Sequence, residues 1–255
     1  ASTFLLQPFF PSADYFFSFN SPSWSLGCEQ LFYFCFPLIV PFLHTKRSLF
    51  ITLLICLPIM LAGMYLTNEE QIKAYWYVNP FTRLPDFFVG VLLYQFYRSL
   101  CNKKLSYSTG TLLEAGAVAL FLLFFLCAAD IPKVYRYSCY YWLPVSLIIL
   151  IFALQQGGIS RLLSNRFLII GGEISYSFYL IHLFIIDAYM RMSAHYHWQI
   201  QWTISVPVIL CITIILSLLS FYYFEKPANK WVKRIFTKKT IINQPHGIIN
   251  KNTTN

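Results

Sequence analysis

Glu29 stands near the start of an apolar run, residues 26–43, where a carboxylate turned to lipid would cost about 2.5–3.5 kcal/mol on insertion scales. Ser25, Glu29 and Tyr33 recur every four residues and share one face of a helix. A carboxylate flanked by two hydroxyls either serves as a base or orienting group, or ties two helices together. Trp24 and Tyr33 add amphipathic rings suited to a membrane interface. A second polar stripe, Ser175, Tyr179, His182 and Tyr189, follows helical spacing in a later apolar run. His182 is either a proton shuttle or acyl-transfer base, or a neutral imidazole hydrogen-bonded across helices. Asp187 lies about 140° around the helix from His182, so the two do not form a same-helix pair. Arg83 and Asp86, three apart, open a third polar site. They either pair with each other, or Arg83 binds a phosphate or carboxylate of a substrate. Pro85 suits a first helical turn, and Asp86 complements its dipole. Glu114, early in a further apolar run, reads as a capping or interfacial residue.

The elements that carry these groups follow from composition. Of 255 residues, 57% are hydrophobic and 11% charged. A bilayer solvates that much apolar surface, whereas a soluble domain of this length cannot hide it. Runs long enough to cross the hydrocarbon occur at 26–43, 48–66, 84–97, 111–129, 137–154, 167–190 and 202–224. They lack the alternation of barrel strands and read as helices. The expectation is an all-α polytopic membrane bundle of about seven transmembrane helices over residues 1–224, with a basic cytoplasmic tail over 225–255 that is disordered beyond residue 240. The third run is short, and a re-entrant segment there would reverse everything after it.

Lys and Arg decide the orientation. With seven spans, 14 of the 19 basic side chains fall on one side and five on the other; the re-entrant alternative inverts that ratio. The 14-residue side, with the C-terminus, is therefore cytoplasmic, and the first 23 residues, which have no Lys or Arg, lie outside. The net charge of +9 comes from residues between apolar runs and in the tail, which fits anionic lipid and excludes a nucleic-acid groove. A start outside the membrane without a signal peptide implies an odd number of helices upstream, so the chain reads as the C-terminal portion of a larger membrane protein. The seven cysteines are scattered without a C-x-x-C pair, which argues against a disulfide framework or a zinc site. No phosphate-binding loop, dinucleotide fingerprint, serine-hydrolase elbow or zinc-protease motif occurs.

Four blocks, in order, resemble the acyltransferase 3 family of integral-membrane O-acyltransferases. Pro22-Ser23-Trp24-Ser25-Leu26-Gly27-Cys28-Glu29-Gln30-Leu31-Phe32-Tyr33-Phe34-Cys35-Phe36-Pro37 is similar to P-x-W-S-L-S-x-E-x-x-F-Y-x-x-F-P, with Gly27 where serine is usual. Arg83-Leu84-Pro85-Asp86-Phe87-Phe88-Val89-Gly90 resembles R-x-x-E-F-x-x-G, with Asp for Glu. Gly172-Glu173-Ile174-Ser175-Tyr176-Ser177-Phe178-Tyr179-Leu180-Ile181-His182 is close to G-x-I-S-Y-S-x-Y-L-x-H. Phe221-Tyr222-Tyr223-Phe224-Glu225-Lys226-Pro227 is like the ending Y-x-x-x-E-x-P.

The resemblance implies a ten-helix domain whose first helix carries the histidine regarded as catalytic base. Three upstream helices would complete it. It further implies transfer of an acyl group, commonly acetyl, from a cytoplasmic acyl-CoA-type donor to a hydroxyl of a surface polysaccharide or lipid-linked sugar, in a bacterial inner membrane. No tightly bound cofactor or metal is implied. On this reading Glu29 orients the missing histidine or binds the acceptor, and His182 lies on a proton path. Arg83, Trp24, Ser25, Tyr33 and Tyr179 contact substrate. The rival readings are a transporter or flippase of a lipid-linked saccharide, using the same Glu and His for coupling, and an inactive fragment or non-catalytic subunit.

Overall fold

The computed structural model describes residues 5–10, 12, 16, 17, 20–39, 41, 45–197 and 201–242, with side chains through residue 236. Every regular element among them is helical, as the all-α expectation requires. The chain divides into two compact units, residues 1–169 and 170–255.

In the first unit a 3-10 turn, Ser21–Ser23, leads into α1, Trp24–Ile39. Ser23 holds that entry: its buried Oγ donates to the Asn20 carbonyl at 2.6 Å and accepts from Gln7 Nε2 at 2.8 Å. The turn Gln7–Phe9 lies across α1 at Gly27, where a Cβ would come within 2.5 Å of the Leu5 carbonyl oxygen and Pro8 Cγ. The serine usual at this motif position would clash there, which accounts for the departure at Gly27.

Helix α2, Lys46–Tyr65, starts at a capping box in which the Thr45 and Ser48 side chains bond each other's backbone N–H. Helix α3, Pro80–Leu100, starts where Asn79 Oδ1 accepts from the Phe81 N–H at 2.9 Å and Pro80 occupies the first turn. Lys46 Nζ donates to Ser99 Oγ at 2.5 Å, joining the start of α2 to the end of α3, so the two run antiparallel. At 1.5 Å per residue α3 is about 31 Å long, close to the hydrocarbon thickness.

Helix α4, Tyr107–Cys127, is capped by Ser106 and packs against α5, Trp142–Leu154. A short helix α6, Gly158–Leu163, closes the unit. Beneath the segment before α5, Met60, Met64, Ile72, Trp76 and Val134 form a buried cluster, with Tyr137 and Trp142 against it. Trp76 Nε1 donates to Thr67 Oγ1 at 2.9 Å, satisfying the indole, and its ring fills the space over Gly63.

In the second unit α7, Arg166–Tyr196, and α8, Trp202–Ser220, run antiparallel, clipped by Ser177 to Ser220 (3.3 Å) and Tyr189 to Ser205 (2.5 Å). A π-helical turn, Phe221–Glu225, joins α8 to α9, Lys226–Ile242. The basic tail is helical as far as residue 242, two residues past the point beyond which disorder is expected; residues 243–255 lie outside the described set. Its amphipathic pattern explains this: Lys226, Lys230, Lys233 and Arg234 share one face, with Trp231, Val232 and Ile235 opposite.

Among the described residues four helices are long and apolar enough to cross a bilayer: Lys46–Tyr65, Tyr107–Asp130, Arg166–Tyr196 and Trp202–Phe236. The other three expected spans differ from these. Helix α1 ends at Ile39, with residues 40 and 42–44 outside the described set; α3 is diluted by Arg83, Asp86 and Gln95; α5 with its leading turn covers only Cys139–Leu154. Length and apolarity make the chain an integral membrane protein.

Candidate active site

The first and second motif blocks meet. Phe32 stacks on Phe87 with ring centroids 5.3 Å apart, Phe36 meets Phe87 edge-on, and Cys28 Sγ donates to the Val78 carbonyl at 3.4 Å. Trp24 and Tyr77 pack at 4.8 Å, and the Arg83 guanidinium lies over both rings, 6.0 and 5.4 Å from their centroids. Arg83 Nε donates to the Tyr77 carbonyl at 2.9 Å, and Nη1 to Asp86 Oδ2 at 3.0 Å. The other carboxylate oxygen of Asp86 accepts from Trp142 Nε1 at 2.5 Å. Arg83 thus does pair with Asp86, one of the two alternatives its spacing left open. Its Nη2 has no hydrogen-bond partner among the described residues. The guanidinium is held on two edges and by two aromatic faces, with one edge left for a ligand.

Glu29 and Tyr33 are exposed, and Glu29 forms no hydrogen bond or ion pair among the described residues. The Ser25 hydroxyl turns back to its own chain, donating to the Pro22 carbonyl at 3.1 Å. The shared face of Ser25, Glu29 and Tyr33 therefore forms without a hydroxyl-to-carboxylate bond.

The third and fourth blocks also meet, within the second unit. Ser177 is buried, and its Oγ donates to Glu225 Oε2 at 2.8 Å across 48 residues of sequence. The side chain that reaches this carboxylate is Ser177; the hydroxyl of Ser175, in the polar stripe, bonds the Gly172 carbonyl of its own helix. His182 is half-buried, and Phe178 lies parallel to its ring at 6.0 Å. Its Nδ1 lies 2.8 Å from the Tyr179 carbonyl, an acceptor only, so this nitrogen carries a proton. In the neutral ring Nε2 then bears the free lone pair. Tyr179 is 37% exposed, one helical turn below. Asp187 pairs with Arg191 at 2.8 Å on an exposed face, in keeping with its angular separation from His182.

One polar partner escaped the sequence reading, and Glu114, read there as capping or interfacial, proves to be a cap whose target no spacing named. Trp142 is separated from Asp86 by 56 residues, and no local spacing links them. Glu114 is buried and takes four donors: the N–H of Gly157 (3.0 Å), Ile159 (2.8 Å) and Ser160 (3.1 Å), and Ser160 Oγ (2.5 Å). It caps α6 from a different helix, and the Gly158 N–H goes to Thr111 Oγ1 at 2.9 Å, one turn away. The only local signal is acidic residue and Thr three apart on α4, facing a Gly-Gly pair 43 residues later. Among the described residues no group of three His, Cys, Asp or Glu side chains is placed to hold a metal.

Helices long enough to cross a bilayer, with sparse polar side chains meeting in pairs, define a membrane-embedded helical protein. The family of acyltransferase domains matches residues 1–222, and the chain belongs to it. It is 28% identical over 221 residues to the O-acetyltransferase OatA of Staphylococcus aureus, covering 81% of this chain and 36% of that protein. It is 26% identical to the putative peptidoglycan O-acetyltransferase YrhL of Bacillus subtilis over 255 residues, 92% of this chain and 39% of that protein. Similarity to the acyltransferase MdmB of Streptomyces mycarofaciens is 24% over 215 residues, 78% and 54% of the two chains. The chain thus spans about a third to a half of the length of these relatives. No solved structure matches it significantly.

Proposed function

We propose that the protein is a membrane O-acyltransferase that moves an acetyl group from an acyl-CoA-type donor to a hydroxyl of a surface polysaccharide or lipid-linked sugar. The observation that carries this reading is the pairing of the four family blocks, first with second and third with fourth, in a chain whose family match covers residues 1–222. The names of the relatives, O-acetyltransferases among them, support the reaction class.

In the reaction the acceptor oxygen attacks the thioester carbonyl, its proton passes to a base, and the C–S bond breaks to release the thiol. Such a step needs a base with a free lone pair and a positive partner for the developing oxyanion. Within the second unit, taken by itself, His182 Nε2 has the lone pair that a proton-relay group needs. The Nη2 edge of Arg83 offers a donor for a phosphate, carboxylate or oxyanion. Glu29 presents an exposed carboxylate to the acceptor or to a neighbouring catalytic group, with Trp24, Ser25, Tyr33 and Tyr179 as substrate contacts.

The reading further holds that seven helices cross the bilayer, with the C-terminus cytoplasmic in a bacterial inner membrane. The full-length run of α3 beside α2 supports a span there instead of a re-entrant loop. The basic loops that approach each other at Lys103 and Gln156, where Gln156 Nε2 donates to the Lys103 carbonyl at 2.8 Å, suit the side on which an anionic donor arrives.

The test is acetyl incorporation into surface polysaccharide by the intact protein. Glu29→Ala and His182→Ala are each expected to lose about 100-fold or more, the scale of losing a group that orients or relays the transferred proton. Unchanged incorporation in either variant overturns that residue's role, and flipping of a lipid-linked saccharide without acetyl transfer overturns the enzyme reading.

A further inference from the structure

The Arg83–Asp86–Trp142 cluster stands at one end of a groove that the polar site does not use up. Helices α3 and α5 run parallel, and between them lie two adjoining cavities, of about 260 and 330 Å³. The first contains Arg83, Asp86, Ser138 and Trp142 and continues past Gly90 and Leu93; the second begins at Gly90 and Leu93 and reaches Tyr97, Leu150 and Ala153. From Arg83 to Tyr97 the groove follows α3 for about 21 Å.

Its two ends differ chemically. At the Arg83 end the Ser138 hydroxyl is buried and has no hydrogen-bond partner among the described residues. A buried hydroxyl left alone is destabilising, so its lining of a cavity points to a ligand that accepts or donates there. Both oxygens of Asp86 are already engaged, so they leave the Nη2 edge of Arg83 and the Ser138 hydroxyl to the ligand. Beyond Leu93 the lining is aliphatic and aromatic. Gly90 marks the passage: a Cβ there would meet nothing within 4 Å.

We propose that this groove holds a lipid-linked sugar phosphate, with the phosphate at Arg83 and Ser138 and a single hydrocarbon chain lying along α3 and α5 past Gly90. The proposal rests on the transferase reading and narrows its acceptor to the lipid-linked class. Helices α3 and α5 wall the groove on either side along its length, as a chain lying lengthwise requires.

The experiment places the intact protein in nanodiscs of phosphatidylethanolamine and phosphatidylglycerol and adds an isoprenoid phosphate carrying a diazirine near its chain end. Crosslinks are mapped by mass spectrometry. Labels are expected within residues 90–97 and 149–153, competed by unlabelled isoprenoid phosphate. Gly90→Leu should cut labelling about ten-fold, and Ser138→Ala about five-fold through loss of one hydrogen bond. If Gly90→Leu melts early, the smaller Gly90→Ala should still weaken labelling measurably. Labelling unmoved by either Gly90 variant overturns the proposal, as does equal, uncompeted labelling by a diazirine phosphatidylglycerol, which would make the groove a general lipid contact. Acetyl transfer to lipid-linked and to water-soluble acceptors is measured on the same preparation. Transfer to neither overturns the enzyme reading while the crosslink result stands on its own; equal transfer to the soluble acceptor in Gly90→Leu and parent, without crosslinks, overturns only the groove.

Discussion

Replacing Glu114 by alanine should destabilise the first unit more than any other single change of an acidic residue. The carboxylate accepts four hydrogen bonds, and the donors on Gly157 and Ser160 belong to buried residues. Each buried donor stripped of its acceptor costs about 1–3 kcal/mol, and the vacated space admits no compensating contact. The total is about 3–5 kcal/mol, the range for breaking a buried charged network. For a unit of this size each kcal/mol moves the melting temperature by about 2–4 °C, so Glu114→Ala should lower it by about 6–20 °C. Glu114→Gln keeps one carbonyl oxygen but turns an NH2 toward N–H groups, and should lose roughly half as much. The assay is thermal unfolding of the detergent-solubilised protein followed by thiol exposure, since all seven cysteines are free. Limited proteolysis near residues 155–165 should report earlier opening of α6. A melting temperature within about 2 °C of the parent in Glu114→Ala would refute the reasoning.

A Cβ at Gly157 would lie 2.3 Å from the Glu114 carboxylate, so Gly157→Ala should cost about 1–3 kcal/mol. In a Glu114→Ala background the same change should cost much less, and full additivity in that cycle would show that the clash is not the cause. Trp142→Phe removes the indole donor to Asp86 and should lower acetyl transfer about ten-fold, at about 1–3 kcal/mol of lost positioning. Transfer equal to the parent would separate Asp86 from the site. Gln155 ends α5 with φ of 53°, a left-handed residue where glycine is favoured. Gln155→Gly should raise the melting temperature by about 1–3 °C in the same thermal assay, and a fall would show that its side chain is needed.

Much of the fold was legible because its physics is local. Apolar runs of about 20 residues must become helices wherever they meet lipid, since no other single-chain element satisfies its own backbone there. Asn79, Thr45 and Ser106 cap the helices they precede, as residues of their kind do. The Arg83–Asp86 pair is one of the two alternatives that its three-residue spacing left open. The amphipathic period of residues 226–242 carries the basic tail as a helix two residues past 240, where disorder was expected to begin.

What composition and periodicity determined by themselves was the class, an all-helical membrane protein, while the four blocks carrying its polar groups were recognised by their resemblance to a family. Those properties depend on the residue and its near neighbours. Which block faces which was decided only by tertiary packing. Phe32 on Phe87, Ser177 on Glu225, Trp142 on Asp86 and Glu114 on the start of α6 are contacts across 43 to 56 residues of sequence. The carboxylate first noticed in the sequence, Glu29, is exposed, while the one given least weight, Glu114, is the buried and fully satisfied one. A side chain's type states what bond it needs; only the fold brings the partner within 3 Å.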